Sequence, residues 1–271
     1  MTTPVRKLYD SDLTAAEWEL VRPLIPRHPP WGHDPVIPKR EIVNAIFYLN
    51  KQGCTWRGLP HDFPKGQSVY VYFRPWTKSG VWEQINAVLR RAVRVAAGKQ
   101  PEPTAAIVDS QSVKTTDRGG VHGYDAGKKI NGRKRHILVD TLGLLLAVVV
   151  HSAAIQDRDG AKLLFFQACA WFPTISLVWA DAGYAGQLIE WLQRWSGWVL
   201  EIVRKLEVQV GFQLLRKRWI VERTFAWLGR SRRLSKDYEE LVANSEAMIQ
   251  IAMIRLMLQR RCRITTPQKQ R

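Results

Sequence analysis

The chain has 271 residues, of which 46% are hydrophobic and 10% aromatic, so it can bury a large core and is not wholly disordered. No apolar run is long enough to span a bilayer. Three cysteines without a C-x-x-C pair predict a reducing, cytoplasmic setting rather than a disulfide framework. The formal net charge of +17 is typical of a protein that binds a polyanion.

The excess positive charge lies at the two ends of the chain. Residues 1–100 carry 15 basic and 8 acidic side chains, residues 101–203 carry 10 of each, and residues 204–271 carry 16 and 6. A neutral middle between two basic ends indicates a nucleic-acid-binding protein. A soluble basic protein with scattered lysines is the alternative, and the clustering of arginines in the last segment argues against it.

The first hundred residues predict a helical region. Thr14 and Glu17 form a capping box that starts the first helix, and Pro23 ends that helix early. A proline-rich connector follows, and helical spacing then recurs in three stretches, 42–49, 69–76 and 85–92. These short helices favour a helix-turn-helix-like DNA-binding domain over residues 1–100, although periodicity does not exclude a plain helical bundle. The candidate base-reading residues are Gln67, Ser68, Tyr70 and Arg74.

A linker-like stretch at 97–103 leads into a region of mixed periodicity. Short apolar and β-branched runs predict strands at 104–109, 134–140, 144–151, 175–181 and 198–203. Helical spacing predicts helices at 157–171, 187–195, 219–228 and 245–261. These elements predict an α/β fold over residues 101–264, a mixed sheet with flanking helices, followed by a disordered tail at 265–271.

Two acidic residues, Asp109 and Asp181, stand at the ends of predicted buried strands, where ligands gather in open sheets. A carboxylate at the end of a buried strand needs a partner for its charge, and a hard divalent cation such as Mg²⁺ supplies one. The alternative is that each aspartate caps a following helix. Two such residues in one sheet of a basic protein favour a metal site.

Glu222 is the candidate for the third carboxylate that a two-metal site needs. On a helix, Arg218 and Glu222 share one face at i, i+4, so a metal ligand and a cation for phosphate lie one turn apart. An ordinary surface ion pair is the alternative reading of this spacing. Three other glutamates remain competitors, Glu190, Glu201 and Glu207.

Two basic clusters are expected to contact DNA phosphates. The first is interpreted as a phosphate-contacting loop before a strand, with a solvated basic turn as the alternative, and contains Lys128, Lys129, Arg133, Lys134 and Arg135. The second surrounds and follows Glu222 and contains Arg218, Arg223, Arg230, Arg232, Arg233 and Lys236. Three histidines near the candidate site are expected to be structural, His122, His136 and His151.

Longer motifs give a more specific indication. The chain contains DSQSVKTT from Asp109, GYDAGKK from Gly123, NGRKRHILVDTLG from Asn131, QDRDGA from Gln156, WADAGYAG from Trp179 and ERTFAWL from Glu222. Together with the N-terminal stretches 13–26 and 56–60, these motifs resemble bacterial transposases of the insertion-sequence-five type. The resemblance follows the chain in order and covers nearly all of it.

The resemblance implies a DDE transposase with an RNase H-like catalytic domain. Asp109, Asp181 and Glu222 fall on the three acidic positions of the family, and two Mg²⁺ ions, or Mn²⁺ in their place, are the implied cofactors. The implied activity is to bind the terminal inverted repeats of an insertion sequence, cleave the DNA there and join the 3′-OH to target DNA. The implied partner is double-stranded DNA at the bacterial nucleoid, held by a homodimer. A nuclease that cuts without joining, and a domesticated DNA-binding protein with an inactive site, stay open.

The chain departs from the family pattern near the third acid. The wider superfamily has a Tyr–Arg–Glu–Lys signature there, and Arg218 and Glu222 match its Arg and Glu. Leu215 stands in place of the Tyr, and Gly229 stands in place of the Lys. The DNA-end contacts of those two side chains therefore do not carry over, and whether Arg230 or Lys236 substitutes is open.

Overall fold

A computed structural model describes residues 6–27, 37–117, 120–203 and 216–265. Its α-helices in these ranges are α1 (Ala15–Val21), α2 (Lys39–Gln52), α3 (Gly66–Lys78), α4 (Val81–Ala96), α5 (Asp157–Cys169), α6 (Gln187–Ser196), α7 (Arg216–Leu228) and α8 (Val242–Thr265). Its strands are β1 (Ala105–Lys114), β2 (Gly123–Asp125), β3 (Ile130–Asp140), β4 (Leu145–Ser152), β5 (Leu177–Ala180) and β6 (Val199–Ile202). Most of the proline-rich connector, and the predicted tail beyond Thr265, lie outside the described residues. In the part that is described, no helix is both long and apolar enough to cross a membrane.

The strands form one mixed sheet. β1 pairs antiparallel with β3, and β3 pairs antiparallel with β4 and, near its start, with β2. β5 runs parallel to β1, and β6 runs parallel to β5. α5 and α6 cover one face of the sheet, while α7 and α8 cover the other. The predicted α/β fold with a mixed sheet and flanking helices is therefore confirmed.

The predicted elements are present, with differences at their ends. The capping box of Thr14 and Glu17 starts α1 as predicted. Pro23 ends α1, but a short 3-10 helix continues the chain. Pro75 does not end α3, which runs on to its last residue, Lys78. β3 begins earlier than predicted, because β1 and the unpredicted strand β2 pair with its first residues.

The N-terminal helices share a hydrophobic cluster with the C-terminal helix α8. The cluster joins Ile46 of α2, Trp82 of α4 and Met253 of α8 to Val148 of β4. A buried hydrogen bond also joins α2 to α8, because Nδ2 of Asn50 donates to the carbonyl of Met248 at 2.9 Å. The division into domains at residue 100 stays a prediction, because α8 packs against both the helical region and the sheet.

Glu246 of α8 places a carboxyl group against the sheet. Burial raises the pKa of this carboxyl to about 7, and Glu83 adds to the shift. The N–H of Val150 donates to its Oε1 at 2.9 Å and opposes the shift. Because the folded-state pKa is raised, the neutral form stabilises the fold, and that stability is lost as the pH rises through about 7.

We expect Glu246→Gln to raise the free energy of unfolding at pH 8 by about 1–3 kcal/mol, since glutamine stays neutral and keeps an oxygen acceptor for Val150. The gain should shrink towards pH 5, where the wild-type carboxyl is itself protonated. Urea unfolding from pH 5 to pH 8 measures the effect, with the exposed Glu240→Gln as control. Identical pH dependence in wild type and variant would contradict the assignment.

Candidate active site

Asp109 and Asp181 lie side by side where β5 ends. Asp181 follows the end of its strand as predicted, but Asp109 does not, because β1 continues past it to Lys114 through its pairing with β3. β1 and β5 are parallel neighbours, with Ile107 opposite Trp179, and the same register two residues further on places the two aspartates next to each other. Side chains two residues apart in an extended chain share a face. Ile107 and Trp179 pack into the hydrophobic cluster that includes α7 residues. Both carboxylates therefore lie on the face of the sheet that α7 covers.

Helix α7 brings Glu222 to this pair of aspartates through Arg218. Nη2 of Arg218 lies 3.6 Å from Oδ2 of Asp181 and 3.4 Å from Oε1 of Glu222. The Glu222 side chain is 52% exposed and the Asp181 side chain 32%. The i, i+4 pair expected from the sequence is present, and it is not an isolated surface pair, because Asp181 shares the same guanidinium nitrogen.

The turn between β3 and β4 fixes the position of α7. Val221 and Leu228 are buried beneath the helix, and the hydroxyl of Thr224 donates to the carbonyl of Gly143 at 2.9 Å. Gly143 has a φ of 78°, and a Cβ at this position would lie 2.7 Å from Oγ1 of Thr224 and 2.9 Å from the ring of Trp227. Both the left-handed backbone and the lack of room for a Cβ require glycine here. The contact of Gly143 with Thr224 and Trp227 sets the position of α7 over the sheet.

Asp109 is a largely enclosed carboxyl group. Burial raises its pKa to about 6, and the charge of Asp181 adds to the shift. The N–H of Ser110, which donates to Oδ1 at 2.7 Å, and the charges of Arg218 and Lys128 oppose the shift. A nearby cation would stabilise the ionised form of this carboxyl.

The donor set fits a hard divalent cation. Asp109, Asp181 and Glu222 offer carboxylate oxygens, which are the ligands that Mg²⁺ prefers. Among the described residues, no three acidic, histidine or cysteine side chains are close enough to form a metal cage, and the guanidinium of Arg218 stands between two of the three carboxylates. Asp181 also caps a short 3-10 helix, which was the alternative to a metal site, because its Oδ1 accepts from the N–H of Gly183 at 2.9 Å.

The competing glutamates lie elsewhere. Glu190 pairs with Arg194 on the exposed face of α6. Glu201 of β6 is exposed, pairs with Lys217 and accepts from the indole N–H of Trp179. Glu207 lies outside the described residues. Of the glutamates that the structure describes here, Glu222 is the one that shares a guanidinium group with Asp181.

The opposite face of β1 carries a polar layer that sequence reasoning missed. Oγ of Ser110 donates to Oδ1 of Asp157 at 2.8 Å, and Nζ of Lys134 lies 2.9 Å from the same oxygen. Tyr184 is buried beside this layer, edge-on to the ring of His136. The sequence signal was weak, because an acidic residue at the start of a helix is expected from the helix dipole alone.

The histidines have partners within the protein. Nδ1 of His136 lies 2.8 Å from Nε2 of His151, and Nδ1 of His151 lies 2.8 Å from the carbonyl of Ser152. Burial lowers the pKa of both imidazoles, so this stacked pair is neutral. His122 is exposed and contacts the carbonyl of Gly120. These contacts agree with the structural roles expected from the sequence.

Two family models match the chain. One, described as the Transposase DDE domain, matches residues 100–257. The chain belongs to the DDE transposases. The second model, a putative transposase of the IS4/5 family, matches residues 13–86 of this transposase. The resemblance read from the motifs is confirmed, and the mixed sheet is the RNase H-like fold of a DDE domain.

One curated relative of the transposase is an uncharacterized 16.2 kDa protein of insertion element IS402 from Burkholderia cepacia. It is 31% identical over 109 residues, which cover 38% of this chain and 72% of the relative. No solved structure matches the chain. Membership of the family makes the protein a DNA-binding enzyme of transposition, and dependence on divalent metal is typical of its domain.

Several residues predicted to contact DNA are exposed on the transposase. Lys128 and Lys129 lie in the turn between β2 and β3, and Nζ of Lys128 also lies 3.3 Å from the carbonyl of Ser110. The other exposed members are Gln67 and Arg74 of α3 and, beyond α7, Arg230, Arg232 and Lys236. Gly229, which stands in place of the signature Lys, follows the end of α7, and its N–H donates to the carbonyl of Phe225.

The predicted phosphate-contacting loop at 128–135 needs correction. Arg133, Lys134 and Arg135 lie inside β3 and are buried, because their cationic groups bind protein oxygens. Nη1 of Arg133 lies 3.3 Å from Oδ1 of Asp237, and Nη1 of Arg135 donates to the carbonyl of Leu234 at 2.7 Å. Only the lysines that precede β3 fit the original interpretation.

Two arginines of the second cluster are also engaged with the protein. Arg233 is buried, and it pairs with Glu239 at 2.7 Å, so it too is corrected to a structural role. Arg223 is half-buried and stacks between the rings of Trp219 and Trp227, with its guanidinium carbon 4.4 Å and 4.5 Å from the two ring centroids. These cation–π contacts hold the guanidinium of Arg223 against the outer face of α7.

Proposed function

We propose that this transposase binds the terminal inverted repeats of its own insertion sequence, cleaves DNA at the ends of that element and joins the freed 3′-OH to target DNA. The single observation that carries the proposal is that Arg218 contacts both Asp181 and Glu222, while the register of β1 and β5 places Asp109 beside Asp181. These acids come from three separate parts of the chain. Their partly exposed carboxylates stabilise the core little, whereas they suit chemistry on a bound ligand.

The proposed cofactors are two Mg²⁺ ions, for which Mn²⁺ can substitute. Such a pair stabilises both the attacking and the leaving oxygen of an in-line displacement. Asp109, Asp181 and Glu222 would hold these ions. Asp109 suits this role because it is enclosed and its carboxyl, with a pKa of about 6, gains from neighbouring positive charge.

Arg218 gives the site a planar cation beside its carboxylates. Its guanidinium neutralises part of the charge of Asp181 and Glu222, and the same fork-shaped donor suits a phosphate group. In a metal-loaded site, the same Arg218 would be available to bind a phosphate of the cleaved strand. The residue would thus serve first as a counter-ion and then as a phosphate ligand.

The reaction requires no covalent link between protein and DNA. In the first step, water breaks the bond between phosphorus and the 3′ oxygen at the element's end and leaves a 3′-OH and a 5′-phosphate. In the second step, that 3′-OH displaces the 3′ oxygen of a target phosphodiester. The proton of each attacking hydroxyl passes to solvent, and each departing 3′ oxygen gains one.

The DNA would lie across exposed cations on either side of the proposed metal site. Lys128 and Lys129 provide one set of phosphate contacts, and the exposed residues beyond α7 provide the other, Arg230, Arg232 and Lys236. Gln67 and Arg74 are exposed on α3 and are the proposed base-reading residues. Two element ends must be held together for joining, so the working form is proposed to be a homodimer.

The full chain is tested on DNA that flanks its own gene. In Mg²⁺ we expect nicks at the element ends and joining of a pre-cut 3′-OH end to a target plasmid. Chelation of the metal should stop both reactions and leave duplex binding in place. Cutting without joining would instead identify a nuclease, and binding without cutting in either Mg²⁺ or Mn²⁺ would identify an inactive DNA-binding protein.

A further inference from the structure

The polar layer on the far side of β1 comes close to Asp181, one of the proposed metal ligands, at the turn that follows β5. Asp157 uses its Oδ1 to bind Ser110 and Lys134, which leaves its Oδ2 directed elsewhere. A Cβ built on Gly183 would lie 3.8 Å from this Oδ2 and 3.0 Å from Oδ1 of Asp181. The atoms nearest to this point therefore belong to two carboxylates, those of Asp181 and Asp157. The first acid of α5 thus borders the proposed metal site.

Tyr184 supplies a second, independent sign of a ligand at this place. Its side chain is 1% exposed, and within the described parts of the chain its hydroxyl has no hydrogen-bond partner. Burial raises the pKa of this phenol, and the charges of Asp109, Asp157 and Asp181 raise it further, while the neighbouring hydroxyl of Ser110 opposes the shift. The hydroxyl therefore stays protonated among three carboxylates. A buried hydroxyl without a partner is costly, and it is satisfied when oxygen atoms of a bound group reach it.

The state of Asp157 suits a role towards a cation. Although burial opposes ionisation, the hydrogen bonds from Lys134 and Ser110 hold the pKa of Asp157 below its usual value. Lys134 is itself buried and donates to the carbonyl of Ile155 at 2.9 Å, so its ammonium group is fixed in place. Asp157 is therefore a rigid anion with one oxygen still available.

We infer that Asp157 and Tyr184 are positioning residues that hold the water shell of the divalent ion bound between Asp109 and Asp181. This inference rests on the proposed function, because it assigns partners to the metal of that same site. Mg²⁺ gives up its waters reluctantly and keeps several of them in proteins. Those waters need acceptors and donors beyond the direct ligands, and Oδ2 of Asp157 and the hydroxyl of Tyr184 are in place to serve them.

The test is a titration of the full chain with Mn²⁺ in the absence of DNA, in which the free ion is counted by electron paramagnetic resonance. We expect Asp157→Asn and Tyr184→Phe each to weaken Mn²⁺ binding by about 10- to 100-fold, which is the usual effect of removing an outer partner of a metal ligand. Matched controls are Asp159→Asn, an exposed acid in the same helical turn, and Tyr124→Phe, an exposed tyrosine of β2. Both controls should bind as wild type does.

The outcomes separate this inference from the proposed function. If wild type binds Mn²⁺ and Asp181→Asn does not, while either Asp157→Asn or Tyr184→Phe binds with wild-type affinity, the positioning role is refuted and the metal site stands. If wild type and Asp181→Asn are equally unable to bind, the metal site itself is refuted. Circular dichroism checks that each variant is folded. Should Asp157→Asn fail to fold, Tyr184→Phe, which removes one oxygen and keeps the ring, decides the question alone.

Discussion

Asp181→Asn is expected to slow cleavage at the element ends by at least about 100-fold, while duplex binding stays equal to that of wild type or becomes slightly tighter. A divalent ion contributes several kcal/mol to a phosphoryl displacement, and each 1.36 kcal/mol is a factor of ten in rate. Asparagine caps a helix as well as aspartate does, so the bond from Gly183 survives and the fold is preserved. The substitution removes one negative charge, and with it the ion pair to Arg218, while it keeps the acceptor for Gly183.

The measurement is a cleavage time course in Mg²⁺, beside a gel-shift titration of the same end duplex. Asp159→Asn removes an equal charge from the exposed start of α5, where Asp159 pairs only with the exposed Lys162 in the structure, and it should cleave at the wild-type rate. Full cleavage activity in Asp181→Asn would remove this residue from the metal site.

Arg133→Ala is expected to lower the free energy of unfolding by about 3–5 kcal/mol, because it leaves a buried carboxylate without its partner. Arg133 is fully buried. It binds the backbone carbonyls of Val121, Glu239 and Glu240, and its Nη1 lies 3.3 Å from the buried Asp237. These bonds tie the segment between α7 and α8 to β3.

Arg230→Ala is the matched comparison, since Arg230 is exposed just beyond α7. Its unfolding free energy should change by less than about 0.5 kcal/mol, whereas the slope of the logarithm of DNA affinity against the logarithm of salt should fall by about one. Urea unfolding and DNA titrations at several salt concentrations measure the two quantities. An Arg133→Ala protein with wild-type stability and weakened DNA binding would restore the original interpretation of the basic run.

Local sequence pattern was sufficient for most of the fold. The apolar runs before Asp109 and Asp181 form strands, because short runs of apolar and β-branched residues favour a strand in the interior of a sheet. Gly143 is a turn residue and predicts the hairpin between β3 and β4. Apolar residues spaced 3.6 residues apart predict the helix that carries Glu222. The meeting of the two aspartates was predicted only in part. Asp181 follows the last residue of β5, whereas Asp109 lies in the middle of β1, which continues to Lys114 because β3 pairs with it.

Contacts between distant residues could not be read from the sequence in the same way. The basic run at 128–135 has the composition of a solvated turn, and nothing local indicates that Arg133 meets Asp237 more than a hundred residues later. Asp157 and Tyr184 were missed for the same reason. Each has an ordinary local explanation, as the first acid of a helix and as an aromatic core residue, and their shared position emerges only when β1, α5 and the turn after β5 pack together.

The hydrophobic cluster that joins α2, α3 and α4 to α8 bears on how this protein can be dissected. A fragment that begins at residue 101 would keep the sheet and α8 but lose the helices that cover Met253 and Ile254. Such a fragment would present a broad apolar surface to water, and surfaces of that kind drive self-association. Helix α8 thus joins the N-terminal helices to the sheet that carries Asp109, and we expect a fragment without residues 1–100 to self-associate where the intact chain does not.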